Sequence, residues 1–370
     1  MRIAFLGDIA LFGNYSVNSN TELQSRLANI SSYLKQFDLV VGNLESPFSV
    51  KKKTKGAKSA YVCTDVENVD ILKELHIDIV TLANNHMFDY GVEGYETTMR
   101  ILKEANIDWF GVDGKKVEII KGENRLVFSG YCCYSTNPIY VAKNNGDKGV
   151  NPYNIKNVID DLKSAKIKGY FPIIANHAGV EHVNYPSIDH VRAARNLADV
   201  CPYLYYGHHP HVIQGIEEYN GSLIAHSLGN FCFDDVYANP FDREPLIKLS
   251  EQNRTGLILE VTFENNQILN WREQMVYIGH DGVITLLADD GRLEEYNNNL
   301  IYCEDSPEEY SSNREAILKA RIIQRKSMRN ISWFLKRLRL RYIKLLLDMR
   351  ENAKQYDRNI KKYLYNSENY

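Results

Sequence analysis

Short apolar runs that stop abruptly at Gly, Asn or His recur along this chain. Residues 3–6 are apolar and end at Gly7-Asp8, and residues 39–41 end at Gly42-Asn43-Leu44-Glu45. Residues 77–83 run into Asn84-Asn85-His86, and residues 171–175 run into Asn176-His177. Tyr203-Leu-Tyr-Tyr206 breaks at Gly207 and continues as His208-His209-Pro210-His211. Runs of this length bounded by breakers predict buried strands. Strands are also predicted at 109–110, 126–131 and 223–228. Between them, Leu23, Leu27, Ile30 and Leu34 fall on a helical stripe, which predicts a helix over 21–37. Similar spacing predicts helices over 70–75, 94–105, 155–165 and 191–199. Residues 255–263 and 272–278 alternate apolar and polar positions, as half-buried antiparallel strands do. Strands alternating with helices imply an α/β fold.

The last part of the chain has a different pattern. Residues 313–364 contain no Gly or Pro, and Ile331, Leu335, Leu338, Tyr342, Leu345, Met349, Tyr356, Ile360 and Tyr363 repeat every three or four positions. One or two long amphipathic helices are predicted there. From Arg314 to Lys362 there are sixteen Lys or Arg against four Asp or Glu, a net of +12, which leaves −15 on the rest of a chain whose total is −3. The stretch 304–313 is polar and reads as a connection. The division expected is therefore a main domain over 1–300 and a basic helical extension over 307–370. The extension has three open readings: an appendage packed on the core, a homo-oligomeric coil, or a helix lying on an anionic membrane surface. Lys51, Lys52, Lys53, Lys55 and Lys58 form a second basic run, either a solvated loop or a lip that attracts an anionic substrate.

Composition adds little: 44% hydrophobic and 25% charged residues are ordinary for a globular protein of 370 residues. No window approaches the ~20 apolar residues of a membrane span. Met1-Arg2 leads straight into the first apolar run, and Asp8 interrupts any signal-like segment. Six cysteines without a Cys-x-x-Cys pair suit a reduced set. A cytoplasmic chain is expected, or one peripheral at the inner face of the membrane.

The residues that end the strands carry the candidate chemistry. Three imidazoles on one tight turn, His208, His209 and His211, suit a borderline divalent metal such as Zn, Mn or Fe better than they suit a turn or a core. A His-rich surface loop is the competing reading. Ligands of α/β sheets gather beyond the carboxyl ends of strands, so Asp8, Glu45, Asn85 and His177 are drawn to the same place. Glu45 has two oxygens with which to bridge a pair of ions. His86, one residue after Asn85, is a candidate proton donor, and Asp89 either orients it or caps the next helix. Glu181 and His182 follow His177 closely and are weaker candidates.

Taken in order, Gly7-Asp8, Asn43-Leu44-Glu45-Ser46-Pro47, Ala83-Asn84-Asn85-His86 with Asp89 and Gly91, His177-x-Gly179-x-Glu181, Gly207-His208-His209-Pro210-His211-Val212 with Gln214, and Ser227-Leu228-Gly229-Asn230-Phe231 resemble the CapA family of bacterial capsule and poly-gamma-glutamate synthesis proteins. The resemblance covers roughly residues 1–235. That family is similar to the calcineurin-like metallophosphoesterases. The resemblance implies a four-layer α/β/β/α sandwich with a site for one or two divalent ions. By matching positions, it implies Asp8, Glu45, Asn85, His177, His209 and His211 as metal ligands, with Glu45 as the bridge. His86 takes the proton-donor position. Beside these, Asp89 is a further catalytic candidate, and Asn43, Glu181, His208, His226 and Asn230 are candidate substrate contacts. The substrate class implied is an anionic polymer or a small phosphorylated compound, not a specific nucleic acid. A capsule-machinery or membrane partner for the extension would fit the same picture. Three positions depart from the pattern: Ala10 stands where the superfamily carries a further His, Ala178 replaces a Trp, and His226 replaces an aromatic.

Overall fold

The computed structural model describes residues 1–18, 22–48, 60–133, 148–237 and 245–327, with the single positions Leu347, Arg350 and Lys354. The lysine run at 51–58 and most of the basic extension lie outside the described residues. Along the chain, β1 (Arg2–Ile9), α1 (Leu23–Leu34), β2 (Leu39–Leu44), α2 (Val69–Glu74), β3 (Ile79–Thr81), α3 (Gly91–Glu104) and β4 (Asp108–Phe110) form one strand–helix series. A second follows: β5 (Val117–Lys121), β6 (Asn124–Cys132), α4 (Ile155–Ile167), β7 (Phe171–His177), α5 (Ile188–Ala198) and β8 (Leu204–His208). Then come β9 (Ile216–Tyr219), β10 (Ser222–Ala225), β11 (Asn230–Cys232), β12 (Thr255–Glu264), β13 (Gln267–Ile278), β14 (Ile284–Leu286), α6 (Arg292–Asp305) and α7 (Pro307–Ser327).

The strands make two sheets. One is ordered β14-β13-β12-β1-β2-β3-β4, with β11 paired to β1, and the other β5-β6-β7-β8-β10-β9. β1 to β4 run parallel, as do β6, β7, β8 and β10, while the outer strands are antiparallel.

Three apolar layers show how the sheets stack. Phe5, Val41, Ile79 and Phe110 of the first sheet meet Phe128, Ile173, Leu204 and Tyr206 of the second. On the outer face of the first sheet, Ala4, Leu6, Val40 and Val80 pack against Leu27, Ile30, Leu34, Leu72 and Leu102 of α1, α2 and α3. On the outer face of the second, Ile174, Tyr205 and Ile224 pack against Val158, Leu162, Ala194 and Leu197 of α4 and α5. Strand residues alternate between the faces because the side-chain period of a strand is two. The result is the four-layer α/β/β/α sandwich implied by the family resemblance.

Two expectations change. β12 is not half-buried: Leu257, Leu259 and Val261 enter the layer between the sheets, and Ile258 enters the outer layer. It is an interior strand between β1 and β13, and apolar layers cover both its faces. The polar stretch 304–313 is no connection either. It closes α6 and opens α7, with Pro307 at the first helical position, where its missing N–H costs nothing. Tyr310 is 2% exposed and packs with Val191, Leu300, Cys303, Tyr185 and Ile188. The boundary at 307 therefore cuts through a packed face, because one buried Tyr outweighs the polar residues around it. No helix among the described residues is long and apolar enough to cross a membrane.

Candidate metal centre

The carboxyl ends of the parallel strands of both sheets meet at one place. Asp8 lies near the end of β1, Glu45 just after β2, and Asn84-Asn85-His86 just after β3. From the other sheet, His177 ends β7 and His208 ends β8, followed by His209 and His211. The segment 226–229 passes between them as a strap. A Cβ on Gly7 would lie 2.2 Å from the carbonyl oxygen of Gly229, and one on Gly207 would lie 1.9 Å from that of His226. Each Gly thus stands before its acid or imidazole because backbone crosses there.

Two triads of ligand atoms share one carboxylate. Glu45, His177 and His209 form one, and Asp8, Glu45 and His211 the other, with the atoms of each triad within 4.8 Å of one another. Glu45 Oε1 lies 3.6 Å from both His177 Nε2 and His211 Nε2. Asn85 Oδ1 is 2.9 Å from His177 Nε2, which adds an oxygen to the first triad. His209 Nδ1 is buried and has no hydrogen-bond partner among the described residues. A buried set of two carboxylates, one amide oxygen and three imidazoles is costly without a cation, and its donors fit a divalent ion such as Mn, Zn or Fe.

Electrostatics follow from this crowding. Burial opposes the charge of Asp8, but the imidazoles of His208 and His211 hold its carboxyl well below the usual range. Burial also opposes charge on His211, yet Glu45 and Asp8 push its pKa up to about 10. Burial lowers His177 well below the usual imidazole value, and the neighbouring His209 adds to this. Burial, with the nearby His211, brings His209 down to about 4. The carboxylates thus favour charge on His211, while burial and neighbouring imidazoles favour the neutral form of His177 and His209, the form a metal takes.

His86 occupies a different position. Its Nδ1 lies 2.6 Å from Asp89 Oδ2, which also accepts the Val62 N–H at 2.9 Å. Its Nε2 faces the cluster, 4.0 Å from Glu45 Oε1, and belongs to neither triad. Asp89 therefore orients the ring; the helix α3 is capped by Tyr90, without a side-chain bond.

The chain matches the family described as "Bacterial capsule synthesis protein PGA_cap" over residues 2–235. It belongs to that family. It is 31% identical over 263 residues to the PGA biosynthesis protein CapA of Bacillus subtilis (strain 168), a match covering 68% of each chain. It is also 31% identical over 250 residues to the capsule biosynthesis protein CapA of Bacillus anthracis, covering 65% of this chain and 61% of that one. Among solved structures, a hypothetical protein from Thermus thermophilus aligns with TM-score 0.45 at 14% identity, over 74% of this chain and 98% of the other. The 5'-nucleotidase from Candida albicans SC5314 aligns with TM-score 0.42 at 11% identity, over 84% of this chain and 57% of the other.

In this PGA_cap protein, four of the five residues assigned to the substrate side sit elsewhere. Asn43 is fully buried beneath the ligands, donating to Asp8 Oδ1 at 2.8 Å and accepting from Asn84 at 3.1 Å. His208 is buried, with Nδ1 3.0 Å from Asp8 Oδ1. Asn230 is buried and bonds His211 Nδ1 through its Oδ1 at 2.9 Å. Asn43 and Asn230 thus bond candidate ligands from beneath, as outer partners of metal sites do, and His208 lies beside Asp8. His226 points to the outer face of the second sheet, against Tyr205 and 3.2 Å from Glu217, which also pairs with Arg195 at 2.6 Å. Of the five, only Glu181 is exposed, with a side chain 51% exposed. Burial works against its ionised form, but His209, His211 and His182 hold its carboxyl below the usual range.

Asn253 is a site residue that sequence reasoning missed. Its Nδ2 lies 2.6 Å from His182 Nδ1 and donates to the His211 carbonyl at 2.8 Å. It stands in Glu251-Gln252-Asn253-Arg254, ahead of β12, with no strand-end motif to mark it.

Proposed function

We propose that this chain is a metal-dependent hydrolase of capsule or related anionic-polymer synthesis, cleaving a phosphoester or a polymer amide or ester. The observation that carries the reading is the pairing of two buried ligand triads through Glu45 with an imidazole, His86, aimed at the same space but outside both triads. Asp8, Glu45, Asn85, His177, His209 and His211 would hold one or two divalent ions. Such ions supply Lewis acidity and an activated water. His86 delivers a proton from Nε2 to the leaving atom, while the Asp89 carboxylate fixes the tautomer and supports the charged ring. Asn43, His208 and Asn230 keep Asp8 and His211 in register. The names of the Bacillus relatives point to capsule or PGA synthesis as the setting, and the +12 charge of the extension favours an anionic polymer or surface as its partner.

Ala10 favours a second reading. It is fully buried and supplies no ligand where a further His is expected, so a site that binds an anionic chain without turnover fits as well. The deciding experiment is turnover of a generic phosphodiester and of a poly-gamma-glutamate chain, with and without Mn. Metal-dependent turnover of either supports the hydrolase. Stoichiometric metal with no turnover of both supports the binding component.

A further inference from the structure

Helix α7 reaches the candidate metal centre. Tyr310, Arg314 and Arg321 stand four and then seven positions apart, so they share one face of the helix. Each donates to a backbone carbonyl of the loop between β7 and α5. The Tyr310 hydroxyl bonds Pro186 O at 2.9 Å, Arg314 Nε bonds Tyr185 O at 3.1 Å, and Arg321 Nη1 bonds Glu181 O. From α6, Asn299 adds a bond to the Tyr185 hydroxyl at 2.6 Å. The loop in turn grips the triple-His turn. The next residue after Glu181, His182, donates its N–H to Pro210 O at 2.5 Å, between His209 and His211. Its ring meets Asn253, which holds the His211 carbonyl. His182, His209 and His211 all have positive φ, at 56°, 94° and 55°. Side chains rarely adopt that backbone, and it persists only where surroundings impose it.

We infer that α7 is a positioning element of the site, and that Arg321 is the positioning residue through which it sets Glu181 and the histidine turn. Two contacts lead from Arg321 to the ligand-bearing turn: guanidinium to Glu181 carbonyl, then His182 amide to Pro210 carbonyl. Arg321 bonds the Glu181 carbonyl, so it sets the backbone from which the half-exposed Glu181 side chain projects. The inference rests on the reading of the neighbouring cluster as a metal centre.

The test uses the full chain and the variants Arg321→Ala and Arg321→Lys. Amide hydrogen exchange is followed in peptides covering 179–187 and 207–213, Mn affinity is measured with the metal alone, and thermal midpoints are recorded. Arg321→Ala should speed exchange in both peptides about tenfold or more, the loss of one charge-assisted hydrogen bond. It should weaken Mn binding in step, with little change in midpoint, and Arg321→Lys should recover part of both. Unchanged exchange in both peptides overturns the inference, as does faster exchange spread across the whole chain with a fallen midpoint. Should the unaltered chain bind no Mn, the metal reading fails, while the exchange measurement still decides what α7 does.

Discussion

Replacing His86 by Asn separates proton delivery from metal binding. The imidazole Nε2 lies 4.0 Å from Glu45 Oε1, near enough to serve a leaving atom in the same space. The ring is outside both ligand triads, so metal content should stay within experimental error of the unaltered chain. Loss of a general acid slows a reaction by about 10²–10⁴-fold, or ~2.7–5.4 kcal/mol on the barrier. The deficit should depend on the leaving group. A phosphodiester with an alkoxide leaving group needs the proton and should show the full loss. One with a nitrophenolate departs unaided and should lose far less. Asp89→Asn should copy part of the effect, since Asp89 Oδ2 holds Nδ1 at 2.6 Å. Steady-state kinetics on both diesters, with elemental analysis of each variant, form the assay. If His86→Asn strips the metal, the ring is a ligand and the reasoning fails. An equal loss on both substrates would refute proton delivery.

Metal analysis of protein made without a His-tag should find one or two divalent ions per chain. His209→Asn should lose them before it loses its fold, and less than a tenth of an equivalent after incubation with Mn and Zn would refute the ligand set. The pH dependence has a defined sign. The metal-free value of His211, about 10, is raised, so its contribution to apo stability is complete below ~6.5 and fades as pH climbs toward 10. Its proton competes with metal, so Mn affinity should rise about tenfold per pH unit across that window. His209, held near 4, works the other way and withdraws apo stability as pH falls from ~6.5 toward 4. Titrations of Mn binding and of apo melting across pH 5–9 check both, where pH is an applied condition. Tyr310→Ala should cost about 3–5 kcal/mol, the range for a buried aromatic, and a chain ending at Ser306 should melt lower still. A melting curve unchanged by either would show that α7 is separable.

How much of this was legible in the sequence depends on what each residue had to reveal. The strands announced themselves, because a run that must be buried on both faces is apolar at nearly every position. Asp8, Glu45, Asn85, His177, His209 and His211 were readable as a group because each ends such a strand. Their roles stay with the experiments above. What sequence position does not give is direction. Asn43, His208 and Asn230 sit beside ligands and carry polar side chains, so they looked like substrate contacts. The structure turns them under the ligands instead. His226 sits at a strand end too, yet its ring lies on the opposite face. Asn253 joins the site by tertiary folding alone, 71 residues from its partner His182. The start of α7 was obscured by its composition: Tyr310 is one aromatic among acids, serines and asparagines.

The left-handed backbone at His209 and His211 changes how substitutions there are to be interpreted. At φ of 94° and 55°, alanine removes the ring but keeps a β-carbon in an unfavourable conformation. Glycine removes the ring and relaxes the chain as well. An alanine scan of this turn therefore mixes two quantities, lost coordination and retained torsional strain. Glycine variants separate them: His209→Gly and His209→Ala should bind metal equally poorly, while the glycine form melts higher. The turn is conformationally spring-loaded, and its histidines are kept at a torsional cost that a ligand-free loop of the same shape would relieve by becoming glycine.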